Sequence, residues 1–486
     1  MRGKGFALFL ALAQREFGAE TVNSAAPSRV AALNADGSAL VRENRYAEAE
    51  VAYRTALRAC ATPDEGSHCR ELPAVLGNLG TLYFQTGRLR EAELELVRAV
   101  QYGSSNPKPS EELGSALYNL AAVYRAQARY TEAAPLYDRA LAVREELLGP
   151  QELPLVPMLN GMALLYNDTA EYTRAQRILE RAVSIIELRH ARNTSDGATT
   201  FATLGTVLEA QGNVKEAETW VRNALEIRQR LFGQNSVVAD TQVGLALIFH
   251  RENRLTEAAD LDSRAIATYQ ELHEAKNLPV AFNNLGRIRV EQGRSKEAER
   301  LFRKAIALWE KELGPMHPNV AAGLTSLGLL LSSRSKFDEA EPILHRARDI
   351  DQERFPASHP RIANDLNNLA VLALNRKQYP EAEALLQEAK AIFEKCLSPG
   401  HPDTGKVLAR LAEVYHREGR LDEAETLYRQ SLEILERAWG TENPLLLSLL
   451  ENYSADLRSQ QNYAEAARLD ARSMKIRVKQ ALRRSQ

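Results

Sequence analysis

An alanine recurs about every 42 residues along this chain, within Glu-Ala-Glu or a close variant, and this period limits the fold more than any other feature. Successive separations are 43, 41, 42, 42, 41, 40, 42, 42, 42 and 42 residues. A period kept over this length predicts one supersecondary unit used eleven times. The alanines are Ala49, Ala92, Ala133, Ala175, Ala217, Ala258, Ala298, Ala340, Ala382, Ala424 and Ala466.

Two further small residues keep the same phase in every unit. One follows the alanine by seven residues, as at Ala56 and Ala99, and one precedes it by twelve, as at Gly80 and Ala121. A spacing of seven is two turns on one face of a helix, and apolar residues fill the positions between, as in LGNLGTLYFQTG. Each unit therefore predicts a helix A, a tight turn and a helix B.

Glycine and proline punctuate the units where such a hairpin requires them. Proline lies in the loop before the next helix A, as at Pro318 and Pro360, where it starts a helix well. Glycine lies at the turn in four units, where a left-handed residue ends a helix. These glycines are Gly87, Gly212, Gly293 and Gly419.

Charge and length restrict the class of protein. The 486 residues exceed what one compact core holds, so a solenoid or several domains is required. Lys plus Arg number 62 and Asp plus Glu 64, for a net charge of −2, and this balance argues against a dedicated nucleic-acid binder.

Three cysteines leave two alternatives open. Cys60 and Cys69 flank a polar segment, and they are either a local disulfide, if the protein is exported, or two free thiols. Cys396 sits in a helical pattern and is interpreted as a small core residue.

The ends of the chain suggest separate segments. Residues 1–26 are interpreted as a short leader, because Arg2 and Lys4 precede the apolar run from Phe6 to Ala13. This leader favours export, with a cytoplasmic location as the alternative. Residues 27–477 form the predicted repeats, and 478–486 a basic end interpreted as a solvated helix rather than a nucleic-acid or membrane patch. No apolar run is long enough to span a membrane.

Motifs for catalysis and metal binding are absent. The sequence contains no GxxxxGK[ST], GxSxG, HExxH or GxGxxG. His317, His359 and His401 recur at a period of 42, but they fall in successive loops that stacking should hold about 8–10 Å apart. We interpret them as loop structure and expect no metal, cofactor or small-molecule substrate.

The pattern Asn-Leu-Gly/Ala with the following small residues resembles the tetratricopeptide repeat. Its 42-residue period, Asn283-Asn284-Leu285-Gly286 and the loop from Gly314 to Pro318 resemble kinesin light chains and their bacterial relatives. The resemblance implies an all-α, right-handed superhelical α-solenoid of about eleven helix–turn–helix repeats, with helix A of each lining a concave groove.

We call the positions 18, 15, 14, 11, 8 and 7 residues before each repeat alanine the inner face. In relatives, an Asn fourteen residues before the alanine bonds the main chain of a bound peptide. Here the resemblance places that role on Asn78, Asn119, Asn284, Asn368 and Asn452, although such residues also tie adjacent helices together. The same position holds Gly161, Thr203, Gly244, Ser326 and Arg410, so the track is not uniform.

Repeat 10 concentrates charge on the inner face, with Lys406, Arg410 and Arg417, whereas the early repeats are mostly neutral. This difference predicts that an acidic stretch of a partner binds near repeat 10, although a solvated charge cluster is the alternative. The residue preceding the Asn is never Lys or Arg, which argues against a carboxylate clamp. The predicted groove residues are Asn78, Tyr118, Asn119, Arg125, Asn283, Asn284, Asn367, Asn368, Lys406, Arg410, Arg417 and Asn452.

These features predict a non-catalytic module that binds a protein or peptide. One alternative is an assembly scaffold for a multiprotein or secretion complex, which uses the convex face or the ends. A more remote alternative is an enzyme without a recognisable motif.

Overall fold

The computed structural model describes residues 28–61, 69–105, 108–274, 277–398 and 400–484, with side chains up to Lys479. Within these ranges the chain forms 22 α-helices and no strand, and the predicted leader lies outside them. The helices are α1 Arg29–Arg42, α2 Tyr46–Cys60, α3 Leu72–Gln85, α4 Leu89–Ser104, α5 Glu111–Ala126, α6 Tyr130–Leu148, α7 Val156–Asp168, α8 Tyr172–Leu188, α9 Ser195–Gln211, α10 Val214–Phe232, α11 Ser236–Arg251, α12 Leu255–Glu271, α13 Leu278–Glu291, α14 Ser295–Leu313, α15 Pro318–Ser333, α16 Phe337–Arg354, α17 Pro360–Asn375, α18 Tyr379–Cys396, α19 Pro402–Glu418, α20 Leu421–Trp439, α21 Leu447–Ser459 and α22 Tyr463–Arg484.

Eleven helix pairs account for all of these helices. Each odd-numbered helix is a helix A and packs on the helix B that follows it, and most pairs also pack on the next helix A. No described helix is apolar over a length that would cross a bilayer. The predicted all-α repeat solenoid of eleven units is thereby confirmed, with α1 and α2 as repeat 1 and α21 and α22 as repeat 11.

The chain divides into two compact units. The first runs to Leu165 and includes Arg177–Ala191, and the second contains Tyr166–Gln176 and everything from Arg192 onward. The boundary therefore passes through repeat 4, whose turn groups with the second unit.

The small residues in repeat register lie where helices A and B cross. The repeat alanines are fully buried, from Ala49 to Ala424. A Cβ on Gly80 would lie 2.6 Å from Leu96 Cγ, and one on Gly286 would lie 2.6 Å from Phe302 Cε1. At these two glycines even the Cβ of Ala would force the facing side chain of helix B to shift, because interiors are close-packed.

The turn between helices A and B has one backbone conformation throughout. Glycine supplies it in four repeats, and Gly87 has a φ of +76°. Its neighbour Arg88 donates its backbone N–H to the Tyr83 carbonyl at 2.8 Å, which completes a Schellman-type cap. In the other seven repeats, a non-glycine residue adopts the same left-handed conformation, with a φ between 58° and 63°. These residues are Asn44, Ala128, Ala170, Asn253, Ser335, Lys377 and Gln461.

The Glu-Ala-Glu motif forms an ion-pair ladder between repeats. Arg88 begins helix B of repeat 2 and pairs with Glu91 at 2.9 Å and with Glu50 of repeat 1 at 2.7 Å. Arg129, Arg254 and Arg420 each bind the Glu three residues later in their own repeat and a Glu of the preceding repeat in the same way. These recurrent carboxylates are therefore structural.

The structure describes two regions for which the sequence left alternatives open, the Cys60 and Cys69 pair and the basic end of the chain. Cys60 and Cys69 are joined by a disulfide, with their Cα atoms 5.4 Å apart. Of the two alternatives, a local disulfide or two free thiols, the structure contains the disulfide. At the basic end, Glu442 pairs with Lys475 and Lys479, and these two ammonium groups lower the pKa of Glu442 to about 2. The lysines of the last helix are thus partnered by carboxylates.

Candidate functional site

The inner face of repeats 2 and 3 is used to tie helices together. Asn78 donates its amide N–H to Asn34 Oδ1 at 3.0 Å, and Asn119 donates to Thr81 Oγ1 at 2.9 Å. Both bonds cross from one helix A to the preceding helix A. Of the two roles open to these asparagines, the link between adjacent helices is the one present here.

Tyr118 fills the inner face where repeats 3 and 4 meet. Its hydroxyl donates to the Pro157 carbonyl at 3.3 Å, and its ring lies edge-on to Tyr137. A Cβ on Gly161 would lie 2.7 Å from the Tyr118 ring, which explains why Gly161 replaces the usual Asn. Burial raises the pKa of Tyr118, and the nearby charge of Arg125 opposes this shift.

Much of the inner face of repeats 4 and 5 is buried. Leu164 of repeat 4 is covered, as are Ala202, Thr203 and Glu209 of repeat 5. Thr206 of repeat 5 is exposed, and it is the exposed one among the inner positions of these two repeats. A partner therefore finds little open surface here.

The asparagines of repeats 7 and 9 differ from those of repeats 2 and 3. The Oδ1 atoms of Asn283, Asn284 and Asn367 are buried and accept no hydrogen bond from the described residues. Asn283 and Asn284 are 8% and 6% exposed, whereas Asn367 and Asn368 are half-buried. A buried acceptor without a donor is destabilising, so a donor that reached these oxygens would be favourable.

In repeat 10 the three predicted cations differ in their partners among the described residues. Arg410 is half-buried and makes no ion pair or hydrogen bond with the described residues, and burial lowers its pKa while Glu413 opposes the shift. Arg417 pairs with Glu413 at 3.7 Å, and Lys406 binds Asp403 at 3.0 Å. Of the three predicted cations, Arg410 is the one without a direct carboxylate contact among the described residues.

The last predicted groove residue, Asn452 of repeat 11, is exposed. It lies on an inner face that is open throughout this repeat, since Ser448, Glu451, Ala455 and Arg458 are also exposed. Its environment therefore differs from that of the buried asparagines of repeat 7.

The sequence did not predict a series of charged side chains that runs across the inner faces of repeats 5 to 7. Glu209 pairs with Arg251, and His250 lies 2.8 Å from Glu291, so each pair joins neighbouring repeats. Arg287 lies on the same face, where burial lowers its pKa. The sequence signal that could have predicted these pairs is a charged residue 8 positions before one repeat alanine and another 7 positions before the next repeat alanine.

The periodic histidines cap helices. Nδ1 of His317 accepts the Asn319 backbone N–H at 3.1 Å, and His359 and His401 accept equivalent bonds at 3.1 and 3.0 Å. Burial lowers the pKa of His317 to about 4, so its ring is a neutral acceptor at neutral pH. The interpretation of these histidines as loop structure is confirmed, and no three His, Cys, Asp or Glu side chains of the described chain cluster as metal ligands.

One buried carboxyl pair lies beneath repeats 8 and 9. Arg361 binds Asp351 through two of its nitrogens, at 2.7 and 3.2 Å, and the Asp365 carboxyl lies near enough to Asp351 for the two to interact electrostatically. Burial and the Asp351 charge raise the pKa of Asp365 to about 8. Both carboxyls are buried away from solvent, which makes this pair part of the helix packing.

Comparisons with known proteins agree with this architecture. A sequence profile described as tetratricopeptide repeat matches residues 112–187, 198–271, 277–353, 361–437 and 407–479, and a second of the same description matches 325–395. These matches cover more than half of the chain.

Two curated relatives come from Arabidopsis thaliana. Protein KINESIN LIGHT CHAIN-RELATED 2 is 25% identical over 236 residues, which are 48% of this chain and 35% of that protein. Protein KINESIN LIGHT CHAIN-RELATED 3 is 23% identical over 198 residues, which are 40% and 30%. The chain thus matches only about a third of the length of these relatives.

A solved structure shares the fold across most of the chain. The Rap protein complexed with competence and sporulation factor superposes with a TM-score of 0.51 at 16% identity, over 76% of this chain and 98% of that one. With the eleven helix pairs and their recurrent turn geometry, these findings show that the chain belongs to the tetratricopeptide repeat family.

Proposed function

We propose that this protein binds an extended polypeptide segment along the inner face of its second unit, without catalysing a reaction. Tetratricopeptide repeat proteins are in general protein-interaction modules. The observation that carries the proposal is Arg410, a half-buried cation without a partner among the described residues. A charge in that position is costly unless an anion accompanies it, and an acidic side chain of a partner would supply that anion.

The unsatisfied acceptors support an extended peptide. Asn283 and Asn284 in repeat 7 and Asn367 in repeat 9 hold buried carbonyl oxygens without a donor among the described residues, and a bound main chain would supply N–H donors once these side chains turn towards it. Repeat 8, between them, presents the half-buried Leu329 at the same inner face. The ligand class that satisfies these groups has main-chain donors, an apolar side chain and an acidic end near Arg410.

The burial of repeats 4 and 5 limits where such a segment binds. Their inner positions are buried or half-buried except at Thr206, so the proposed track starts at repeat 6 and continues to repeat 10. Asn78 and Asn119 are already bonded to neighbouring helices, and we assign them to structural roles.

The test uses a displayed library of random peptides of about 12 residues, which span roughly 40 Å when extended. Peptides selected on the wild-type protein are measured by fluorescence anisotropy against Arg410→Met and Arg437→Met. Arg437 is a matched control, because it is exposed and paired with Glu433 on helix α20.

We expect acidic residues to be enriched among the selected peptides, and Arg410→Met to weaken binding at least tenfold, about 1.4 kcal/mol, with a flatter salt dependence. Arg437→Met should bind as wild type does. Equal affinity of both variants for verified ligands would contradict the proposed site and would favour a scaffold that uses the convex face or the ends.

A further inference from the structure

The second unit contacts itself across more than half of its length. Ser398, which follows helix α18, donates its hydroxyl to the Thr169 carbonyl at 3.1 Å, although 229 residues separate them. Thr169 lies in the turn between α7 and α8. Stacking between neighbouring repeats does not produce a contact of this range.

The next repeat forms a second contact of the same kind. The turn after α9 places Gly212 against Asn443, which follows α20, so that a Cβ on Gly212 would lie 2.5 Å from Asn443 Nδ2. Helices α9 and α20 also contact each other. Two successive turns, of repeats 4 and 5, therefore meet two successive loops, those after repeats 9 and 10.

Burial of one leucine distinguishes the loop after repeat 9 from the equivalent loops after repeats 5 and 7. The residue fifteen positions after the repeat alanine lies at the end of helix B, and it is 38% exposed at Phe232 and 42% exposed at Leu313. The equivalent Leu397, beside Ser398, is only 7% exposed.

We propose that these two contacts form a latch that closes the inner face of repeats 5 to 9 and that opens sideways to admit a polypeptide. The latch consists of Thr169 and Gly212 on the turns and Ser398 and Asn443 on the loops. Its polar contacts are few, and one exposed hydrogen bond adds little stability. Each repeat is held chiefly by its neighbours, so the latch opens without unfolding any repeat.

The latch itself is tested without a ligand. Gly212→Asn keeps the left-handed turn, which Asn tolerates, but brings a Cβ against Asn443. Gly293→Asn is the matched control, because Gly293 has the same turn conformation, with a φ of +74°, and no atom within 4 Å of its Cβ position.

Spin labels at Glu216→Cys and Thr441→Cys, with Cys396→Ala, report the distance across the latch by double electron–electron resonance. Wild type and Gly293→Asn should give one short distance, and Gly212→Asn a longer and broader distribution. Identical distributions for all three proteins would overturn the latch.

Its role in ligand entry rests on the proposed function and needs a second measurement. Thr169→Cys and Ser398→Cys, joined by a short bis-maleimide, hold the latch closed. The probe is an acidic peptide selected from the library, used either free or inserted between two folded domains. Cross-linking should slow association of the domain-flanked probe at least tenfold and leave the free peptide, which can thread, within about threefold.

Equal association rates of the flanked probe before and after cross-linking would overturn sideways entry. If no peptide is selected, the proposed function fails, and the spin-label distances still decide whether the latch exists.

Discussion

The position fourteen residues before the repeat alanine has different contacts in the two units. Fourteen residues before the repeat alanine, Asn119 of the first unit donates to a neighbouring helix A, whereas Asn284 of the second keeps a buried carbonyl oxygen without a described partner. Glycines at that register differ too. The space over Gly161 is filled by Tyr118, and that over Gly244 is open for at least 4 Å.

This contrast teaches that a repeat position fixes where a side chain lies but not whether it is available. Availability depends on the residue opposite, which belongs to another repeat. Tyr118 and Thr81 occupy the groups that face them in the first unit, and no described residue does so for Arg410 in the second.

The largest expected effect comes from exchanging the two glycines for the usual asparagine. Gly161→Asn should destabilise the protein by about 1–3 kcal/mol, because its Cβ would collide with the Tyr118 ring. Gly244→Asn should be neutral or gain a few tenths of a kcal/mol, because Asn favours a helix more than Gly does. Thermal unfolding and hydrogen exchange of repeats 3, 4 and 6 measure the difference. Similar losses in both variants would contradict the contrast.

A pH effect should be confined to the second unit. At the register seventeen residues before the repeat alanine, the first unit has the buried Val75 and the second has Asp365, whose pKa is raised to about 8. The unfolded chain releases this proton near pH 4, so stability should fall as pH rises from about 4 to 8 and level off above 8. Asp365→Asn should remove this slope, so that its stability gain over wild type grows from pH 5 to pH 8.

Urea unfolding at pH 5 and pH 8 measures that slope. Asp349→Asn is the matched control, because Asp349 is exposed and paired with Arg348, and it should leave the slope in place. An unchanged slope in Asp365→Asn would show that the carboxyl is ionised in the folded protein at neutral pH.

Helix caps provide a smaller effect. Ser110 caps α5 in the first unit through its hydroxyl, and His317 caps α15 in the second through its ring nitrogen. His317→Ala should destabilise the protein by about 1 kcal/mol and His317→Asn should restore most of the loss, because an amide oxygen accepts the same bond. Differential scanning calorimetry at pH 7 compares them. Equal losses in both variants would mean that the imidazole stabilises by packing rather than by capping.

The smallest effect should be shared by both units, since both use the same turn. Ala128→Gly in the first and Lys377→Gly in the second should each stabilise by about 0.5 kcal/mol, because a side chain in the left-handed region is strained. The reverse change, Gly87→Ala, should cost about 1 kcal/mol. Melting temperatures of the three variants and of the wild type measure these changes. A loss of stability in either glycine variant would show that the added conformational entropy of the unfolded chain exceeds the relief of backbone strain.

Local patterns were enough to predict the repeats. The spacing of Ala49 and its equivalents placed eleven helix pairs, because close helix crossings need small residues at fixed turns of the helix. Gly87 marked the left-handed turn, and the histidines were correctly interpreted as part of the loops. The same patterns could not predict the left-handed conformation at Lys377 or the charge pairs of Arg251 and His250, which depend on contacts with neighbouring residues.

The sequence by itself determined the repeat, its number, its turns and the small residues at each helix crossing, because all of these depend on residues that are close together along the chain. Only the tertiary structure decided which inner positions remain uncompensated, because partners such as Tyr118 and Gly161 belong to different repeats. It also decided the contact between Thr169 and Ser398, since small rotations between repeats add up over 229 residues before the two segments meet.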